Sequence, residues 1–281
     1  MPLIETKKAL RSALSNRAPG SLLGLVPTMG ALHDGHLALV RKAVSENDVV
    51  VVSIFVNPTQ FNNAGDLESY PRDHETDLAL LNSVSEQLLV FVPPVAEMYQ
   101  EGLHAKTYDF GGLEKVMEGA FRPGHFNGVG TVVEMLLRAV APQRAYFGEK
   151  DFQQLQIIKS LVAQLELPIT IIGCPIVREA DGLALSSRNK RLSEGVRKEA
   201  PFIHATLKAV KTQFGTKNAS SIEEWVKESF EKHPHLELEY LTIANERTLL
   251  PDAKIQDDQK YRAFIAVYAD DVRLIDNIAL N

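Results

Sequence analysis

The chain has 281 residues, 45% hydrophobic and 23% charged, an ordinary balance for a globular protein of one large domain or about two smaller ones. Its net charge of −6 argues against a broad nucleic-acid surface, although not against a local basic pocket for phosphate. The single cysteine, Cys174, excludes an internal disulfide and points to a reducing compartment, and no apolar run approaches the roughly 20 residues of a membrane span.

The first segment, MPLIETKKALRSALSNR, has no apolar signal core. Leu3, Ile4, Ala9, Leu10 and Leu14 can share one face, which predicts an opening helix. Residues 22–27 predict a strand and 36–46 a helix. The β-branched run at 48–56 predicts a strand covered on both faces, as in a parallel sheet. A helix is expected over 72–82, a strand over 88–94, and turns near Gly111–Gly112 and Arg122–Gly124. A helix over 128–140 and a short strand over 144–148 come next. Over 151–165, Leu155, Ile158, Val162 and Leu165 form one helical stripe. The strand predicted over 168–177 holds Cys174, which reads as a small packed hydrophobe.

This alternation predicts an α/β fold with a doubly wound parallel sheet over residues 1–177 and a site at the carboxyl ends of its strands. Helices at 194–214 and 220–232, then strands at 236–243, 261–268 and 272–278, predict a smaller α+β domain over 178–281.

Three stretches and two smaller features carry chemistry. In VPTMGALHDGH a strand gives way to a helix, which puts His33 and His36 near a helix N-terminus, where free N–H groups and the dipole favour an anion. Neutral histidines there suit donation to phosphate, and Gly30 and Gly35 allow close backbone approach. In YFGEKDFQQ, Gly148 ends a strand, Asp151 can cap a helix, and Lys150 opposes the dipole unless an anion is bound. In VREADGLALSSRNKRLS, Ala180–Gly182 make a turn, and Ser186, Ser187 and Arg188 offer hydroxyls and a guanidinium fork, with Ser193 as a helix cap. Gln60 in NPTQF lies just beyond a strand, and RPGHF offers Arg122 and His125 before a helix. Trp225 reads as packing, and no His or Cys spacing suggests zinc. Residues alone leave open a nucleotidyltransferase that keeps the nucleotide in its product, or a non-catalytic nucleotide sensor.

In the order VPTMGALHDGH, VVVSIFVNPTQF, YPR, RPGHF, FGEKDFQQL, DGLALSSRN and RLIDN, nearly the whole chain resembles the pantothenate synthetase (pantoate–β-alanine ligase) family. H-x-G-H alone marks a wider nucleotidyltransferase superfamily; the combination is far more specific. The resemblance implies a Rossmann-like first domain, a smaller C-terminal α+β lid domain, and a cytoplasmic homodimer that binds neither nucleic acid nor membrane. It implies condensation of pantoate with β-alanine through a pantoyl adenylate, with ATP as co-substrate, Mg²⁺ as cofactor, and AMP and pyrophosphate released. Carried over by motif position, ATP would bind Met29, Gly30, Ala31, Leu32, His33, Asp34, Gly35 and His36, then Gly148, Glu149, Lys150 and Asp151, then Val177, Leu185, Ser186, Ser187 and Arg188. Gln60 would contact pantoate and β-alanine, and Gln154 pantoate. His36 would be catalytic, with His33, Lys150 and Arg188 sharing the neutralisation of charge as pyrophosphate leaves. The helix after YPR, acidic in many relatives, keeps Asp77 but has Thr76 before it, so no protein ligand to the metal is assigned.

Overall fold

The β-branched run that follows Asp48 forms one strand of a parallel sheet in the computed structural model, which describes residues 3–61, 64–68, 70–252 and 254–281. The chain divides into two compact units: Met1–Glu149 with Gln154–Pro175, and Lys150–Gln153 with Ile176–Asn281.

In the first unit the strands are β1 (Leu3–Ile4), β2 (Leu23–Thr28), β3 (Val49–Ile54), β4 (Leu89–Phe91), β5 (Arg144–Gly148) and β6 (Thr170–Cys174). They pair in parallel in the order β1-β4-β3-β2-β5-β6. β2 is bonded to β3 on one side and β5 on the other, so the strand order reverses there, and the crevice at such a switch point is where open α/β sheets bind ligands. Val26, Val50, Val52 and Val90 of the sheet meet Leu37, Val40 and Ala43 of the helix Asp34–Glu46 and Leu81 of the helix His74–Val84 in one buried cluster. Full burial of each such valine or leucine side chain is worth about 1.5–3 kcal/mol. Cys174 lies in this cluster, and burial pushes its thiol up to about 11.

Several expected boundaries shift for identifiable reasons. Leu3 and Ile4 are strand residues paired with Val90 and Phe91, not part of the opening helix. That helix runs Lys7–Ser15, capped by Thr6 Oγ1, which accepts the Ala9 N–H at 3.1 Å; Leu10 and Leu14 are buried, and Ala9 is exposed. β4 stops at Phe91, short of Pro93 and Pro94, and β6 stops before Pro175, because proline has no N–H for a ladder. The helix expected from 128 starts at His125, directly after Gly124 at φ +79°.

In the second unit β7 (Leu236–Asn245), β8 (Tyr261–Ala269) and β9 (Val272–Ala279) form an antiparallel sheet in that order. The single helix expected over 194–214 is two, Glu194–Glu199 and Phe202–Gln213, separated at Ala200–Pro201, where proline has no N–H for the helical ladder. Ser193 caps the first of them, accepting the Val196 N–H. Leu207, Val210, Ile222, Val226 and Phe230 bury against Ile243, Ile265, Val267 and Leu274, with Trp225 packed at the edge of that cluster.

Candidate active site

β2 ends at Thr28, whose hydroxyl donates to the Ser53 carbonyl at 2.8 Å and accepts the Gly30 N–H at 3.3 Å. Gly30 and Ala31 then both take positive φ, +80° and +50°, a costly conformation for alanine. What holds it is Asp77. Its carboxylate accepts the Ala31 N–H at 3.1 Å and the Leu32 N–H at 2.7 Å. A Cβ on Gly30 would lie 2.9 Å from Asp77 Oδ2, so the close approach this glycine permits is to a carboxylate of the chain itself. Asp77 is 2% exposed. Burial pushes its carboxyl above the usual range, although the Leu32 and Ala31 donors pull the other way.

Fixing Leu32 sets the entry of the helix Asp34–Glu46. His33 is its N-cap: extended at φ −149°, with Nδ1 accepting the Gly35 N–H at 3.2 Å. An accepting Nδ1 puts the proton of the neutral ring on Nε2, the tautomer that donates. His36 lies in the first turn, its ring centroid 4.1 Å from that of His33. Asp34 shares that turn. Both histidines and Gly35 are half-buried, so the pair sits at a helix N-terminus without being sealed in the core.

Gln60 ends the short 3-10 helix Pro58–Gln60 after β3 and is 8% exposed. Its Nε2 donates to Met29 Sδ at 2.9 Å, which ties it to the end of β2. Its Oε1 accepts from Asn57 Nδ2 at 3.1 Å, and the same Asn57 nitrogen donates to the Gly128 carbonyl at 3.0 Å. The Gln60 carbonyl accepts from His125 Nδ1 at 2.8 Å and from Arg122 at 3.4 Å. Gly128 lets the helix His125–Val140 come this close: a Cβ there would stand 2.3 Å from the Thr59 carbonyl oxygen. NPTQF and RPGHF, separate in sequence, are therefore one assembly. Beside it lies a cavity of about 330 Å³ at the carboxyl ends of β3 and β4. Met29, Ile54, Phe55 and Val92 line it, with Arg72, His74 and Asp77 as its charged or polar members.

Gly148 ends β5, and Glu149 opens the 3-10 turn Glu149–Asp151. Gln154 lies in the first turns of the helix Phe152–Gln164, half-buried.

In the second unit Lys150 Nζ is 3.6 Å from Asp151 Oδ1. Val177 and Leu185 face each other across a hairpin closed by the Leu185 N–H to Val177 carbonyl bond at 3.0 Å and by the Arg178–Ala184 bridge, with Gly182 at φ +98° in its turn. Ser186 caps the 3-10 helix Ser187–Arg191 by accepting the Arg188 N–H at 3.2 Å. Val177 and all four of Leu185, Ser186, Ser187 and Arg188 are half-buried.

Asp77, Asn57 and Gly128 hold the site, and reading the sequence by itself assigned none of them a part in it. Their only sequence signal is proximity to a motif: Asn57 opens NPTQF, and Asp77 follows shortly after YPR. Among the described residues no group of three or more His, Cys, Asp or Glu stands where it could hold a metal ion. Asp77 is engaged by backbone donors, and Asp73 accepts the Thr76 N–H and hydroxyl at 3.0 and 2.6 Å.

A doubly wound parallel sheet with two histidines at a helix start beside its switch point defines an α/β protein of the class that binds ligands at the carboxyl ends of its strands. Within that class the chain belongs to the pantoate–β-alanine ligase family, whose profile matches residues 2–279. It is 51% identical to the pantothenate synthetase of Christiangramia forsetii over 282 residues, 100% of each chain. Among solved structures, the pantothenate synthetase of Thermus thermophilus superposes with a TM-score of 0.91 at 44% identity, covering 100% of this chain and 99% of that one. The pantoate–β-alanine ligase of Francisella tularensis, solved with βγ-ATP and β-alanine, gives a TM-score of 0.82 at 37% identity over 100% and 98%. The chain is thus an ATP-dependent ligase of pantothenate biosynthesis, joining pantoate to β-alanine. No helix among its described residues is long and apolar enough to cross a membrane.

Proposed function

We propose that the chain works in two steps, pantoate first attacking the α-phosphorus of ATP to give an enzyme-bound pantoyl adenylate and pyrophosphate, and the β-alanine amine then displacing AMP. Pantoate is already a carboxylate at neutral pH and needs no base. What the first step needs is donors aimed at charge that develops on the phosphates. The observation that carries this reading is the His33–His36 pair, with ring centroids 4.1 Å apart at the N-terminus of the helix Asp34–Glu46.

In this assignment Met29–His36, Gly148–Asp151, Val177 and Leu185–Arg188 bind ATP, with His36 catalytic and His33, Lys150 and Arg188 sharing the phosphate charge. Gln60 orients pantoate and β-alanine, and Gln154 pantoate. Residues 1–177 are the ATP- and pantoate-binding domain and 178–281 the lid domain. Mg²⁺ enters on the triphosphate, where the ion ordinarily keeps phosphate and water ligands. The protein acts as a homodimer in the cytoplasm. Support comes from the ordered motifs and from the Francisella tularensis relative, which was crystallised with βγ-ATP and β-alanine.

Isotope exchange tests the scheme. Labelled pyrophosphate is expected to enter ATP with enzyme, Mg²⁺ and pantoate present and β-alanine absent, and not without pantoate. Exchange that required β-alanine would overturn the two-step order. Exchange without pantoate would replace the adenylate by an adenylylated residue.

A further inference from the structure

The dipeptide Asp276–Asn277 near the end of the chain ties together two segments that are separate in sequence. Both side chains are buried, at 5% and 1% exposure, although neighbouring residues of a strand face opposite ways. Each uses its burial to hold a different segment. Asn277 Nδ2 donates to the Lys150 carbonyl at 2.8 Å. Asn277 Oδ1 accepts from Arg262 Nη1 at 2.6 Å, and the Arg262 guanidinium sits 3.9 Å over the ring of Phe152. The short segment Lys150–Phe152 is therefore gripped at both ends. Asp276 takes Arg178 bidentately, at 2.6 and 3.0 Å. Arg178 goes on to the Gly182 carbonyl at 3.2 Å, inside the hairpin that delivers Leu185–Arg188. The Asn277 N–H donates to Asp276 Oδ1 at 2.7 Å, which locks the two anchors to each other.

A strand that served stability alone would carry apolar residues here, because a buried ion pair gives little over well-packed hydrocarbon. Hydrogen bonds add direction and distance, which a phosphate site needs: a misplacement of about 1 Å can cost on the order of 100-fold in rate. We infer that Asn277 and Asp276 are positioning residues for adenylate formation, Asn277 setting the backbone from which Lys150 extends and Asp276, through Arg178, setting the hairpin that carries Leu185–Arg188. This rests on the proposed nucleotide roles of Lys150 and Arg188.

Asn277→Asp separates positioning from packing. The carboxylate still accepts from Arg262 but cannot donate to the Lys150 carbonyl. Pantoate-dependent pyrophosphate exchange is measured for the wild type, Asn277→Asp, Lys150→Ala and the double variant, with Lys150→Arg in place of Lys150→Ala if the latter leaves no measurable exchange. Asn277→Asp is expected to slow exchange about tenfold or more while circular dichroism stays native. In Lys150→Ala it is expected to cost little further, since the group it positions is already gone, and in Lys150→Arg less than in the wild type, since the altered side chain already misses the wild-type placement. Wild-type exchange in Asn277→Asp, or the same fold-loss with and without the Lys150 side chain, overturns the inference. If Asn277→Asp does not fold, Asn277→Ser, whose shorter side chain withdraws the donor, goes through the same cycle. Asp276→Asn with Arg188→Ala gives the parallel cycle for the hairpin. A Lys150→Ala enzyme with normal exchange would sink the nucleotide role itself; an impaired Lys150→Ala beside a normal Asn277→Asp would sink only the positioning role.

Discussion

Asp77 Oδ1 accepts the backbone N–H of Leu32 at 2.7 Å across 45 residues of sequence, and Oδ2 of the same carboxylate accepts the N–H of Ala31. A buried acid thus holds the loop before the histidine helix in a conformation alanine seldom adopts. The placement of His33 and His36 therefore rests on a side chain from another helix.

Asp77→Asn is the sharpest test of that relationship. An amide has one acceptor oxygen, and its NH₂ would face a backbone N–H. The variant is expected to lose about 1–3 kcal/mol of stability, the cost of a buried donor left without a partner. Turnover is expected to fall at least about tenfold as His36 shifts. Denaturant titration and AMP release report the two effects; wild-type values in both would remove Asp77 from the loop's support.

His36→Ala should lower AMP release by about 100-fold or more, the usual result of deleting one preorganised donor to developing negative charge. Because the side chain is half-buried at a helix start and is not a core residue, the unfolding midpoint should change little. Near-normal turnover in the folded variant would move catalysis elsewhere.

Gly128→Ala probes the seat of Gln60. A methyl group 2.3 Å from the Thr59 carbonyl meets backbone and cannot be relieved by a rotamer change. The expected cost is about 1–3 kcal/mol, the range for overpacking, with a raised KM for pantoate and little change for ATP. An unchanged pantoate KM would separate Gln60 from the acid substrate.

Glu134 is expected to contribute to acid stability in the first unit. Burial pushes its carboxyl up, but hydrogen bonds from Tyr108, Lys106 and Arg138 outweigh that and leave it at about 2, against an ordinary 4.5. A carboxylate lowered by folding adds stability above the unfolded value, and that stability is lost as pH falls through the folded one. Unfolding free energy should therefore decline between about pH 4.5 and 2, and Glu134→Gln should be weaker at pH 7 and flatter across that window. An equally steep acid limb in Glu134→Gln would assign the loss to other groups.

The parallel sheet was legible because its signal is local. The run Val49–Ile54 is β-branched almost without interruption, and Leu155, Ile158 and Val162 repeat at helical spacing, so each element shows in a short window. His33 and His36 were legible for the same reason, since a strand ending and a helix beginning within a few residues place both at a helix start. Leu3 and Ile4 misled because two apolar residues fit a helical face and an edge strand alike; only the open edge of β4 decided between them. The same holds for what supports the site. Ala31 meets Asp77, Gln60 meets His125, and Lys150 meets Asn277 across long stretches of chain. No local pattern encodes such pairs, because a buried acceptor can be satisfied by any donor the fold delivers. The residue sequence by itself determined which groups can carry charge and where helices and strands begin; the tertiary structure decided which buried polar side chain each of those groups rests on, because a hydrogen bond requires an approach of about 3 Å, which only folding brings about.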